Sequence, residues 1–120
     1  MIDFCVLGTG ISGSTIANLL NKNYSTLIID KAKGIGGRAS NKKIGKFASF
    51  DHGLQYFSPK DIGFKKYLNK LINKRILKYW NGNHIDLTLE KKAKNEKIIG
   101  VKGNNDLNKY LLRNVKKNLN

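Results

Sequence analysis

The feature that most constrains this chain is the glycine spacing GTGISG at residues 8–13, which directly follows a short apolar run over residues 2–7. An apolar run that ends at a glycine is typical of a buried strand in a parallel sheet. Residues 11–21 then place apolar side chains largely on one helical face, and residues 26–29 form a second strand-like run. A strand, a helix and a strand in this order predict a right-handed βαβ unit.

Each glycine of the motif has a different physical role in a turn that binds phosphate. Gly8 permits the tight turn, Gly10 removes a side chain where a pyrophosphate approaches the backbone, and Gly13 lets the helix pack against the strand. The helix N-terminus adds unpaired N–H groups and the positive end of its dipole. Asp30, at the tip of the second strand, is placed to accept bonds from an adenosine ribose, and its charge disfavours a 2′-phosphate. The pattern predicts a dinucleotide site; the alternative is that the glycines only make a tight turn.

The middle of the chain predicts a helix and a β-hairpin. The apolar runs at residues 47–50 and 54–57 indicate short strands, and apolar residues recur at helical spacing over residues 64–72. Asn81-Gly82 is a strong turn signal, because both positions of the turn need positive φ, and it predicts a hairpin between residues 76–80 and 84–89. Residues 97–101 are a further strand candidate.

These elements predict one α/β domain over residues 1–120, a Rossmann-like βαβ unit that binds FAD or NAD(P) and carries a helix and β-hairpin insertion. The βαβ unit and a glycine-rich loop occupy residues 1–38, and the insertion occupies residues 39–103. Residues 104–120 are expected to form a terminal amphipathic helix with Asn104 or Asn105 as its N-cap.

The charge of the chain limits the partners that it can have. A net charge of +15, from 23 basic and 8 acidic residues, suggests nucleic acid or an anionic membrane surface as a partner. A dedicated nucleic-acid surface concentrates arginine and interleaves exposed aromatics, whereas this chain spreads its lysines along its whole length and has Arg38, Arg75 and Arg113 only. A basic nucleic-acid-binding module is therefore retained only as an alternative function.

The few cysteines and histidines exclude several kinds of site. A single cysteine, Cys5, excludes an internal disulfide and a multi-cysteine metal site, and its apolar neighbours predict a small buried residue. No set of residues with metal-ligand spacing joins His84, so no metal site is expected. The chain lacks the features of a signal peptide and a run of about 20 apolar residues that could span a bilayer. We expect a cytoplasmic protein with no membrane partner.

Three later segments carry a resemblance to a known family. The loop KGIGGR at residues 33–38 resembles the glycine-glycine-arginine signature of FAD-dependent amine oxidases and their relatives. The segment FDHGLQYF at residues 50–57 resembles the one that marks the renalase-like branch of those flavoproteins. Residues 98–105 are similar to that branch's next landmark, although the methionine often found after the glycine is absent. The resemblance covers almost the whole chain.

The resemblance implies the N-terminal portion of an FAD-dependent oxidoreductase, in which hydride passes from an amine or a reduced nicotinamide to the flavin. Position and electrostatics are what the protein supplies to such chemistry. The implied cofactor-binding residues are Gly8, Thr9, Gly10, Ile11, Ser12, Gly13, Asp30, Lys31, Gly36, Gly37, Arg38, Leu54 and Gln55. The first glycine motif would hold the diphosphate, Asp30 the ribose, and Arg38 with Leu54 and Gln55 the region nearer the flavin. No residue is assigned a catalytic role.

The chain departs from this family in its length. Relatives run to more than twice its size and use the later part to complete the sheet and the substrate-facing side of the flavin pocket. Only two parallel strands are evident here, so the sheet is expected to be incomplete with an unpaired strand edge. The alternative function is therefore a non-catalytic remnant, or one half of a split flavoprotein that needs a partner chain.

Overall fold

The computed structural model describes residues 1–82, 85–86, 91–92 and 96–120. Its helices are α1 (Ile11–Leu20), α2 (Ile62–Asn73) and α3 (Asp106–Leu111), and Gly37–Ala39 forms one 3₁₀ turn. Its strands are β1 (Phe4–Leu7), β2 (Thr26–Asp30), β3 (Asn41–Ile44), β4 (Ala48–Asp51), β5 (Leu77–Tyr79), β6 (Ile85–Asp86), β7 (Lys91–Lys92), β8 (Ile98–Gly100) and β9 (Lys116–Leu119).

The predicted βαβ unit is confirmed, and it forms one side of a parallel sheet with strand order β1-β2-β9. Phe4 pairs with Thr26 at the start of β1, and Leu27 pairs with Lys116 on the other side of β2. Helix α1 packs on this sheet through Ala17, which is fully buried against Ile28 of the central strand. The protein is thus an α/β fold with a Rossmann-like parallel sheet that is incomplete.

The terminal helix predicted over residues 104–120 is wrong in its second half. Helix α3 ends at Leu111, and the chain then turns and enters the sheet as β9, a third parallel strand. Val115 is 3% exposed and packs with Ile28, so the turn between α3 and β9 is part of the core. Sheet pairing with β2 outweighs the helical spacing of the apolar residues here, because β2 would otherwise leave its second edge unpaired.

The strands of the insertion pair differently from the prediction. Strand β4 lies where a strand was expected, but its partner is β3, across a turn at Gly45 with φ of 60°. The strand predicted over residues 54–57 is absent, since this segment makes only a single bridge between Phe57 and Ile98.

The hairpin predicted between residues 76–80 and 84–89 is also wrong. Strand β5 pairs antiparallel with β8 instead, with Leu77 opposite Gly100, and β6 pairs with β7. His84 and residues 87–89 of the predicted hairpin lie outside the described residues. The turn signal at Asn81-Gly82 is local, whereas the pairing of β5 with β8 depends on burial of Leu77 and Ile98 in a common core.

Helix α3 and Leu112, the residue directly after it, join two hydrophobic clusters. Leu107 and Leu111 belong to a cluster with α2, β5 and β8, whereas Leu112 belongs to the cluster beneath the parallel sheet. Helix α2 is held at its start by Asp61, whose side chain accepts a hydrogen bond of 2.7 Å from the Phe64 N–H. The small helix α3 therefore fixes the insertion relative to the βαβ unit.

Strand β1 is much less covered than the sequence suggests. Cys5, predicted to be a small buried residue, is exposed, and Leu7 is 78% exposed. The reason is that β1 pairs only with β2 among the described residues, so one sheet edge and part of one face lack cover. No helix in the described ranges is both long and apolar enough to cross a bilayer.

We predict that Leu112→Ala destabilises the protein by about 2–5 kcal/mol, because Leu112 is fully buried between α3 and the sheet. The matched control Leu19→Ala removes the same atoms from a side chain that is 54% exposed, and it should cost less than about 1 kcal/mol. Urea unfolding measures both. Equal losses in the two variants would show that the segment after α3 does not belong to the core.

Candidate functional site

A cavity of about 690 Å³ opens where β1 ends and α1 begins. Ligands of open parallel sheets bind outside the carboxyl ends of the strands, which is where this cavity lies. Its volume is within the range of pockets that hold small molecules and cofactors. The lining residues are Leu7, Gly8, Gly10, Ile11, Ser12, Gly13, Gly36, Arg38, Ala39, Gly53 and Leu54.

The first glycine motif contains glycines with different structural causes. A β-carbon at Gly13 would collide with the carbonyl oxygen of Gly8, so close packing of α1 on β1 requires this glycine. Gly8 has φ of 94°, which favours glycine in the turn. Gly10 differs, since its φ is −63° and a β-carbon there would meet no atom within 4 Å. Nothing in the fold itself requires Gly10 to be glycine, and its bare face lines the cavity.

The N-terminus of α1 points unsatisfied donors at the same cavity. The N-cap is Gly10, which has no side chain to cap the helix, and the first turn contains no acidic residue. The first N–H groups of a helix have no partner within it. The donors of Ile11, Ser12 and Gly13, together with the helix dipole, therefore provide an anion-binding surface.

Three loops form the cavity, at residues 8–10, 31–40 and 52–56. The second loop lies directly on the first, and the third lies on the second. A β-carbon at Gly37 would approach the Gly10 α-carbon to 3.1 Å, and one at Gly53 would collide with the carbonyl oxygen of Arg38. That carbonyl accepts a 2.7 Å hydrogen bond from the Leu54 N–H. The Arg38 side chain is exposed on the cavity wall, and in the described part of the chain no carboxylate pairs with it. Arg38 is therefore the cationic side chain of the lining, and close backbone contacts hold its loop against the other two.

Asp30 lies outside the lining, and its carboxylate holds the first loop. Its Oδ2 accepts two hydrogen bonds of 2.6 Å from Thr9, one from the hydroxyl and one from the backbone N–H, and its Oδ1 accepts one from the Ala32 N–H. The Thr9 hydroxyl is the largest cause, and these bonds together hold the pKa of Asp30 below its ordinary value of 3.8. The role of Asp30 toward a ribose remains a prediction.

The structure brings together eight of the thirteen candidate residues in the cavity lining and leaves the other five outside it. Those outside the lining are Thr9, Asp30, Lys31, Gly37 and Gln55. Three lining residues were not anticipated from the sequence, namely Leu7, Ala39 and Gly53. Gly53 carried a usable signal, because it lies within the family-like segment at residues 50–57.

Asn108 of α3 and Asn105, the residue before that helix, hold the first and second loops, and sequence reasoning missed both contacts. Asn108 is fully buried, and its Nδ2 donates to the Thr9 carbonyl at 3.0 Å and to the Ser14 hydroxyl at 3.1 Å. Asn105 donates through Nδ2 to the Ile35 carbonyl at 3.2 Å. Asn105 occupies the predicted N-cap position, but its side chain makes no capping bond to the helix.

Asn104 does the same for the third loop. Its Nδ2 donates to the carbonyls of Leu54 at 2.7 Å and Gln55 at 3.0 Å, while its own backbone N–H donates to Asp51 at 2.9 Å. Its Oδ1 accepts from the Gly100 N–H at 3.0 Å, so the buried amide is satisfied on both sides. The start of α3 therefore holds all three loops that line the cavity.

The described residues form neither a complete catalytic triad nor a metal site. The Ser40 hydroxyl lies 3.0 Å from Nε2 of His52, a pair that the sequence analysis did not predict, but both groups are solvent-accessible and no described carboxylate orients the histidine. No group of three potential metal ligands is found among the described residues.

Comparison with known proteins agrees with the fold. A family model of NAD(P)-binding Rossmann-like domains matches residues 6–71, and the chain belongs to this family. A putrescine oxidase double mutant resembles the fold with a TM-score of 0.53 and 24% identity, over 77% of this chain and 21% of that one. Wild-type putrescine oxidase bound to putrescine gives a TM-score of 0.50 and 21% identity over the same shares. The chain thus spans about a fifth of the length of these structures, and the likeness is one of fold.

We predict that Asp30→Asn lowers the stability of the protein by about 1 kcal/mol at neutral pH, because it weakens charge-assisted bonds to Thr9. The folded-state pKa of Asp30 is depressed, so the contribution is complete above about pH 5. It should decline as the pH falls through 3.8 toward the lower folded-state pKa. Urea unfolding from pH 7 to pH 3 measures the difference between the two proteins.

Thr9→Val is the matched test of this bond, since it removes the hydroxyl donor from the other side. The double variant should cost less than the sum of the two single variants, because both remove one interaction. Additive losses with no dependence on pH would contradict the assigned role of Asp30.

Proposed function

We propose that this chain is the FAD-binding segment of a flavin-dependent oxidoreductase. The observation that carries the proposal is Gly10, a glycine that the fold does not require, at the uncapped start of α1. A missing side chain at this point makes room for a diphosphate against the backbone donors. Arg38, on the opposing loop, supplies positive charge to the same cavity.

Two features support FAD over a nicotinamide dinucleotide as the ligand. The second glycine loop, Gly36-Gly37-Arg38, packs onto the first and extends the cavity beyond a single phosphate-binding turn. This loop is the segment that resembles the FAD-dependent amine oxidases, and the fold is similar to that of putrescine oxidase. Residues 50–57 support the renalase-like branch within those relatives.

The proposed chemistry divides between the cofactor and the chain. The bound flavin would supply acceptance of hydride from an amine or a reduced nicotinamide. This chain's residues would bind the diphosphate at Gly8–Gly13 and orient the remainder along Arg38 and Leu54. Asn104 and Asn105, just before α3, and Asn108 within it would keep the loops in register, because each donates to a loop carbonyl.

We predict that Gly10→Leu abolishes FAD binding and leaves the fold intact. The leucine side chain would occupy the space at the start of α1, where the protein itself offers no obstacle. Visible absorption of the desalted protein, with and without added FAD, measures occupancy, and far-UV circular dichroism with thermal unfolding checks the fold.

The matched control is Gly34→Leu, in which a glycine with equally open surroundings lies outside the cavity lining. This control should bind FAD like the unmodified chain. Unchanged occupancy in Gly10→Leu would overturn the proposed binding mode, and failure of the unmodified chain to take up FAD would overturn the proposed function.

The exposure of strand β1 favours a second candidate function. Leu7 is 78% exposed and Phe4 41% exposed on a strand that pairs only with β2 in the described part. Parallel sheets normally have both faces covered, and an open apolar edge is a template for another strand. We propose as the alternative that this chain is one half of a split flavoprotein, completed by a partner chain beside β1.

Velocity sedimentation at several protein concentrations, with and without FAD, tests this alternative. A chain that needs a partner should self-associate through its open edge, or should lose its flavin on dilution. A stable monomer that retains FAD at the lowest concentration would rule the alternative out.

A further inference from the structure

A second cavity, of about 400 Å³, lies on a different face of α3 from the glycine-lined site. It is formed by the end of α2, the turn after β8 and the outer side of α3, and it shares no lining residue with the first cavity. The lining residues are Arg75, Ile76, Val101, Lys102, Asp106, Lys109, Tyr110 and Arg113. Nothing in the proposed FAD site uses these groups.

Positive charge is concentrated in this cavity in a way that the overall charge of the chain does not explain. Lysines are spread along the whole sequence, but two of the three arginines, Arg75 and Arg113, line this one cavity. Lys102 and Lys109 add two further cations. Asp106 is the single acidic residue of the lining, and its oxygens already accept from the Lys102 N–H at 2.7 Å and from Lys109 Nζ at 3.4 Å. The cavity therefore retains a clear excess of positive charge.

Tyr110 holds the cations of this region in place. The guanidinium of Arg113 lies 4.0 Å from the centre of the Tyr110 ring and donates to the Tyr110 carbonyl at 2.7 Å. Lys74 donates to the Tyr110 hydroxyl at 3.1 Å from the neighbouring end of α2. Cations that are fixed before a ligand arrives lose less conformational freedom on binding it.

Arg75 is an independent sign of function, because it occupies a position that favours glycine. Its φ is 59°, and no other non-glycine residue in the described part has positive φ. It follows the end of α2, where the Ile76 N–H returns to the Leu71 carbonyl at 3.0 Å, as in the glycine-terminated ends of many helices. An arginine is strained in this conformation, and strain of this kind concentrates at functional sites.

We infer that this cavity binds a phosphate-bearing anion, either free pyrophosphate or the diphosphate of a nucleotide. Arginine guanidinium groups match the geometry of phosphate oxygens, and lysines add charge without fixed direction. The apolar side chains of Ile76 and Val101 give the cavity a wall that an attached organic group can contact.

The test is a titration of the isotope-labelled full chain with inorganic pyrophosphate at low salt, followed residue by residue by NMR. Amide shifts are expected at Arg75, Lys102, Lys109 and Tyr110. A second arm with ADP determines whether a nucleotide binds more tightly than the bare anion. Shifts confined to residues 8–13 would overturn the inference, because they would show that pyrophosphate binds only in the first cavity.

Arg75→Gly distinguishes binding from structure. It should weaken pyrophosphate affinity at the second cavity by about tenfold, yet the midpoint of thermal unfolding should stay level or rise, because glycine suits the backbone there. Arg113→Gln should weaken affinity similarly and provides the measurement if Arg75→Gly does not fold.

Lys66→Gln, an exposed residue of α2 outside the cavity, is the control for net charge. It should change the affinity less than about twofold. Equal weakening in the control and in the arginine variants, or unaltered affinity in both arginine variants, would overturn the inference. Gly10→Leu should retain pyrophosphate binding at the second cavity, so failure of this inference and failure of the FAD proposal remain distinguishable.

Discussion

The cavity at the end of β1 depends on one buried contact, the hydrogen bond from Asn108 to the carbonyl of Thr9. It joins the last helix to the first turn of the chain and fixes α3 over the βαβ unit. From that position Asn105 and Asn104 hold the second and third loops through the carbonyls of Ile35 and Leu54. Leu107 and Leu111 of α3 belong to one hydrophobic cluster, and Leu112, directly after the helix, belongs to the other. The shape of the site and the stability of the core are therefore set by the same short segment around α3.

The elements that sequence predicts well are those whose signals are local. Strand β1, helix α1 and strand β2 follow one another within a single motif, and each is identified by apolar spacing and glycine position. The residues of β9 read as the continuation of a helix, since Val115 and Leu119 fall at helical spacing after Leu111. Their strand conformation is set by β2, a distant partner, and no local pattern of lysine and asparagine indicates that pairing.

The same distinction applies within the site. The roles of Gly8 and Gly13 follow from the turn and from close packing, so spacing alone predicts them. The contacts of Asn104 and Asn108 join residues up to 99 positions apart, and a buried asparagine has no signature in the sequence that names its partner. Asp30 shows what a motif rule leaves out, because its carboxylate accepts two hydrogen bonds from Thr9 that the glycine spacing does not indicate.

Each of the two cavities contains one residue that differs from the residue that the local backbone would favour. At Gly10 the backbone would accept a side chain, yet the position is glycine. At Arg75 the backbone favours glycine, yet the position carries a large cation. Folding alone explains neither residue, since each gives up stability that the alternative would provide. The two proposed ligands would explain both, because an approaching diphosphate needs an open backbone at the first site and a fixed charge at the second.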